Sequence, residues 1–146
     1  MSRIILLTLI VSCLFSCKTK QYLPENYNGK IIKLGTGGGF TGQLIEYALL
    51  ENGQVFRSSN GGRSELTRLE RNKAQQMFDN IYSMKFHHIL LDDPGNMYHY
   101  LEIIDMKETH KIQWGANDAN VPRELLIYFA NAKNILSSQK QKNEKI

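Results

Sequence analysis

Cysteine is nearly missing from this chain, and the two that occur, Cys13 and Cys17, both lie in its first seventeen residues. From position 18 onward there is none. That excludes a disulfide, a thiol nucleophile and a cysteine-ligated metal from whatever folds there. An ordinary apolar core must hold it together. Long hydrophobic runs are also missing, apart from residues 4–15. At about 1.5 Å rise per residue that run spans roughly 18 Å as a helix, short of a hydrocarbon core of about 30 Å, so it is no transmembrane helix. Charge of one sign does not dominate. The net charge is +4; removing Arg3 takes one positive charge, and the last seven residues (Lys140, Lys142 and Lys145 against Glu144) take two more, leaving +1. Both signs are mixed, and no basic stripe marks a nucleic-acid surface. The chain has no Gly-x-Ser-x-Gly, no His-Glu-x-x-His, no EF-hand loop and no internal repeat.

What is present begins at the N-terminus. Met1, Ser2 and Arg3 form a short positive region, and residues 4–15 follow as an apolar run. This order and length fit a secretory signal peptide. The run ends in Leu14, Phe15, Ser16 and Cys17, which resembles the lipobox cut by lipoprotein signal peptidase, with Phe15 departing from its small-residue preference. The resemblance, in the looser form seen in Bacteroidetes lipoproteins, implies cleavage of residues 1–16 and lipidation of Cys17. Two or three acyl chains would make that attachment close to permanent, since each buried methylene contributes about 0.8 kcal/mol. Lys18 and Thr19 follow without an acidic run. That departs from the surface-export signal of such lipoproteins and favours the periplasmic side of the outer membrane.

Residues 17–29 read as the lipidated cysteine and a flexible tether, with Pro24 and an Asn26-Tyr27-Asn28-Gly29 turn cluster. Residues 18–29 reach at most about 40 Å when extended. Residues 137–146 read as a disordered polar tail. Residues 30–136 between them read as one α+β, two-layer domain: an antiparallel sheet of about five strands with two helices on one face. The expected strands are 30–34, 43–50, 54–57, 97–106 and 109–114. Asn52-Gly53 centres a hairpin turn, 35–42 is a glycine-dense loop, 58–62 a loop and 92–96 a turn. Thr67 and Glu70 fit a capping box opening a helix to about Met84 that shows Ala74, Met77, Phe78, Ile81 and Tyr82 at helical spacing. A second helix opens at Pro122 and lasts to about Leu136, burying Val121, Leu125, Phe129, Ala132 and Leu136.

Gly37, Gly39 and Gly42 match G-x-G-x-x-G, but a strand follows where a dinucleotide site needs a helix N-terminus, and no P-loop lysine follows. Nucleotide binding is excluded on that pattern. The glycines instead permit positive φ and close backbone approach. Phe40 either plugs the core or stands exposed as an anchor, and an exposed aromatic on a loop is a hot-spot type. Tyr98 and Tyr100, at i and i+2 on the outward hairpin face, offer contact area with a hydrogen-bonding tip. Phe40, Thr41, Tyr98 and Tyr100 are the candidate partner-binding residues.

The histidines point elsewhere. His87 and His88 face opposite sides if extended. A two-residue turn at Lys107-Glu108 sets Asp105 opposite His110, Ile103 opposite Ile112 and Leu101 opposite Trp114 on the core face. Asp105 and His110 then form one polar pair, with His99 roughly 20 Å away. Asp92 and Asp93 read as turn residues bonding local backbone. No metal or cofactor site is expected.

The glycine loop (Gly38, Gly39, Phe40, Thr41, Gly42), the Phe78 helix, the Tyr-rich hairpin and the Val121-Pro122 helix start resemble small Bacteroidetes-type lipoproteins. The order of elements over residues 31–136 is similar to emfourin-type inhibitors of thermolysin-like metalloproteases. That resemblance implies a binding module, not an enzyme, and maps no inhibitory residue onto this chain. The expected function is a membrane-anchored, non-catalytic module that binds another envelope protein, protease inhibition included. The alternatives are an envelope hydrolase with an unrecognised site and a structural envelope component.

Overall fold

The computed structural model describes residues 21–106, 108–115 and 120–142. The expected signal peptide and the expected lipidation site, Cys17, lie outside these residues. Seven strands form one sheet: β1 (Ile31–Gly38), β2 (Gln43–Leu50), β3 (Val55–Ser59), β4 (Gly62–Leu66), β5 (Asp92–Asp93), β6 (Met97–Asp105) and β7 (Glu108–Gly115), in spatial order β4-β3-β2-β1-β6-β7-β5. Two helices, α1 (Arg71–Ser83) and α2 (Arg123–Ser137), complete an α+β fold.

Alternation along the central strands explains the layering. Ile32 and Leu34 of β1, Tyr47 and Leu49 of β2, Leu101 and Ile103 of β6 and Ile112 and Trp114 of β7 join one buried cluster with Ala74, Met77, Phe78 and Ile81 of α1 and Leu125, Tyr128, Phe129, Ala132 and Leu136 of α2. Both helices therefore cover the same sheet face. Tyr128 also donates its hydroxyl to the Met77 carbonyl at 3.1 Å, tying the helices to each other. The opposite face carries a smaller cluster of Ile31, Ala48, Leu50 and Phe56, against which Tyr27 and Ile104 pack.

The sheet departs from the expected one in particular places. It has seven strands rather than about five, and β5 pairs with β7 in parallel. β4 was hidden because it holds one apolar residue, Leu66, and shows no alternation. Its hairpin with β3 turns on Asn60 (φ 50°) and Gly61 (φ 80°), two positive φ values that suit an Asn-Gly two-residue turn. β1 runs on through Gly38, since β2 and β6 pair it along its whole length. The β6–β7 register is shifted by two: Asp105 faces Glu108, Ile103 faces His110 and Leu101 faces Ile112. A shift of two preserves every inward and outward assignment, but it separates Asp105 from His110.

α1 begins at Arg71, and its N-cap Glu70 makes no side-chain capping bond. The expected capping box is not formed, because Thr67 is engaged elsewhere: its N–H and hydroxyl both donate to the Lys140 carbonyl, at 2.6 and 3.1 Å. That contact also changes the reading of the tail. α2 lasts to Ser137, and beyond it Gln141 bridges Leu66 while the Lys142 N–H donates to Glu65 O at 3.0 Å. Residues 140–142 lie on the outer edge of β4. The tether is likewise held from Tyr22 on. Tyr22 exchanges backbone bonds with the Gln54 side chain, both 3.2 Å, and Glu25 pairs with Arg63.

Candidate functional site

The glycines at the end of β1 and in the loop to β2 build a projection. Gly38, Gly39 and Gly42 have φ of 96°, 74° and 59°, a region that L side chains rarely adopt. Gly39 N–H donates to Asn96 O at 2.8 Å. A Cβ on Gly38 would stand 2.0 Å from that same oxygen, so no other residue fits there. The loop is thus fastened to the start of β6 and leads into β2, not into a helix. A pyrophosphate would find no helix N-terminus behind these glycines.

The loop presents Phe40 to solvent with a relative exposure of 108%. It stands in solvent and does not plug the core. Thr41 beside it is also exposed. The register gathers further apolar surface at this end: Gly37 faces Leu44 and Tyr98, and Gly38 faces Gln43 and Met97. Leu44 is 37% and Met97 46% exposed. Phe40, Leu44, Met97 and Tyr98 therefore crowd one end of the three central strands.

Tyr100 corrects the expectation of a second outward contact residue. It is 5% exposed. Its ring lies across Gly35, where an added Cβ would come 1.9 Å from Cε1. Its hydroxyl donates to the Glu46 carboxylate on β2, and Lys111 Nζ stands 4.6 Å from the ring centroid. Burial, and then the Glu46 carboxylate, push the Tyr100 hydroxyl well above its ordinary range. Tyr98 runs parallel, its ring centroid 6.5 Å from that of Tyr100 and its hydroxyl beside Gly37, but remains partly exposed. Lys33 and Glu102 pair at 3.0 Å on the same face. The tyrosine pair is thus one part scaffold and one part surface.

On the helix face the same end holds a polar cluster that the sequence pattern did not bring out. Thr36 Oγ1 lies 3.1 Å from His99 Nδ1 and accepts from Lys133 Nζ of α2 at 3.2 Å. The His99 ring packs against Trp114 and Phe129, at 5.9 and 5.2 Å between centroids. Burial, and secondarily Lys133, lower the His99 pKa below its ordinary value. Alternation places Thr36 and His99 on the inner face; the partner from α2 was not legible. A hydroxyl beside a neutral imidazole is the first element of a nucleophile–base pair. Among the described residues the third member of the group is Lys133, and the cluster joins the sheet to α2.

The other candidates disperse. Asp105 accepts from Tyr82 at 2.8 Å and pairs with Lys30 at 3.7 Å. Burial and that carboxylate push Tyr82 up to about 12. His110 Nε2 lies 2.9 Å from Ile89 O. His87 and His88 do not face apart; the 3-10 turn Phe86–His88 brings their rings to 4.0 Å. Asp92 and Asp93 form the exposed two-residue strand β5. Among the described residues no three His, Cys, Asp or Glu side chains gather as a metal site. No protein-family model matches the chain, and no curated protein matches it significantly.

Proposed function

We propose that this protein is a lipoprotein anchored through Cys17 to the periplasmic side of the outer membrane, and that its domain is a non-catalytic module binding another envelope protein. The observation that carries this reading is Phe40, a fully exposed aromatic on a loop whose backbone is pinned to Asn96. A large apolar side chain held out by a stiff loop spends little ordering entropy on contact, which is what a binding anchor needs. Leu44, Met97 and Tyr98 supply flanking area, with Thr41 at the tip.

The course of the described N-terminal segment supports this reading. The held N-terminal segment meets the sheet at Gln54, beyond the Leu50 end of β2, whereas the Phe40 loop caps its Gln43 end. At about 3.4 Å per residue the two ends of this strand are roughly 24 Å apart. A membrane anchored ahead of residue 21 would lie toward one pole, with the aromatic loop projecting from the other.

Inhibition of a metalloprotease is the specific form that the similarity to emfourin-type proteins suggests. Titrating the full chain against several thermolysin-type proteases tests it. The expected result is saturable inhibition, weakened at least tenfold by Phe40→Ala, about 1.4 kcal/mol. Absence of inhibition at high micromolar concentration across all of them removes the inhibitor reading.

A further inference from the structure

A cleft of about 470 Å³ opens beside the N-terminal segment, lined among others by Tyr27, Glu51, Asn52, Arg68, Arg71 and Gln75. Its charge is unbalanced: two guanidinium groups against one carboxylate. The Glu51 carboxylate is turned to the Lys30 N–H, 3.4 Å away, while neither guanidinium group makes an ion pair or hydrogen bond to another described residue. Both arginines are exposed, so their guanidinium groups are open to a ligand. Asn52 and Gln75 add amide groups to the wall. Guanidinium forks match phosphate oxygens in pairs, and the chemistry of this wall suits a phosphate ester.

The cleft also lies where the chain departs toward its anchor. Tyr22 is bonded through its backbone to the Gln54 side chain, whose Oε1 accepts from Asn52 of the cleft at 2.9 Å. The Tyr22 ring meets the edge of Tyr27, another cleft residue, at 5.3 Å. Cys17 stands five residues before Tyr22, a reach of at most about 17 Å. An acyl chain on Cys17 would therefore hold this side of the domain within reach of a membrane surface.

We propose that this cleft receives the phosphate of an anionic lipid headgroup, so that the domain docks on the membrane surface in a fixed orientation with the Phe40 loop outermost. The proposal rests on the anchored reading of Cys17. The test uses the protein purified from the membranes of expressing bacteria and added to vesicles of phosphatidylcholine, or of equal parts phosphatidylcholine and phosphatidylglycerol. Modification by an arginine-directed dicarbonyl reagent is followed by mass spectrometry. Arg68 and Arg71 are expected to react about fivefold more slowly on the anionic vesicles, with Arg123 of α2 unchanged. Equal rates on both vesicles overturn the proposal. So does equal protection by inorganic phosphate in detergent, which would assign the cleft to a soluble anion. The same spectra report the N-terminal peptide: an unacylated Cys17 refutes the anchor itself, an outcome distinct from a failure of the cleft.

Discussion

Gly35 and Tyr100 act as one unit on the sheet. Glycine inside a strand ordinarily costs roughly 0.5–1 kcal/mol relative to alanine, so Gly35→Ala would be stabilising if the space were free. It is not: the added methyl meets Cε1 of Tyr100 at 1.9 Å and Cζ at 2.2 Å. The ring cannot swing aside without losing its bond to Glu46 and its contact with Lys111. Overpacking of this kind costs about 1–3 kcal/mol. Gly35→Ala is expected to lower the unfolding free energy by about 2 kcal/mol in urea titrations, and to be neutral or stabilising when Tyr100→Ala is already present. An equal loss in both backgrounds would mean that Tyr100 is not the obstacle. His99 makes a second prediction at this scale. Its folded-state pKa is lowered by burial and Lys133, so the folded chain prefers the neutral ring. Stability is therefore full above the unfolded value of about 6.5 and falls as the pH drops through it toward the lower folded value. His87 titrates in the same sense, also lowered chiefly by burial. The urea midpoint should decrease between about pH 7.5 and about pH 5, and His99→Gln should reduce that decrease. An unchanged decrease in the variant assigns the effect elsewhere.

Among the elements, β4 depends on a segment that looked featureless. Residues 140–142 give it backbone bonds at Glu65 and Thr67, an antiparallel bridge at Leu66 and the Lys142–Glu65 ion pair at 3.4 Å. A stop after Gln139 removes all of these. The expected loss is about 1–2 kcal/mol, mostly from hydrogen bonds since the exposed pair adds little, together with raised self-association because the β4 edge is freed. Denaturant midpoints and sedimentation velocity check both, and an unchanged midpoint with a monomeric profile contradicts the assignment. This element also shows what local pattern conveys. The helices were legible because Ala74, Met77, Phe78 and Ile81, and Leu125, Phe129, Ala132 and Leu136, repeat at helical spacing. The long strands were legible because β6 alternates. β4 was not, since an edge strand tolerates polar residues on both faces and only the Asn60-Gly61 turn announces it. The register of β6 on β7 was misplaced by two because alternation fixes parity, while the turn decides position. Partners from distant elements, Lys133 on Thr36, Lys140 on Thr67 and Gln54 on Tyr22, carry no periodic signal and needed the fold.

For the molecule as a whole, the candidate surface was half legible. A glycine-dense loop bearing one phenylalanine can be picked out of the sequence, but whether its ring turns in or out depends on the space left by β6. Tyr98 and Tyr100 look equivalent at i and i+2, yet Gly35 gives one of them a bed and an acid partner while the other stays near the rim. Phe40 consequently leads the proposed surface, and Tyr100 supports the sheet beneath it. A binding module of this kind must touch its protein partner through Phe40. Replacing Phe40 by a photo-reactive phenylalanine analogue in the full chain, and irradiating living cells, tests that contact where it occurs. The expected result is a discrete protein adduct from position 40 that is missing when the analogue is placed at Arg123 instead. Adducts with lipid alone, or none from position 40 while the protein is present in the membrane fraction, would contradict it.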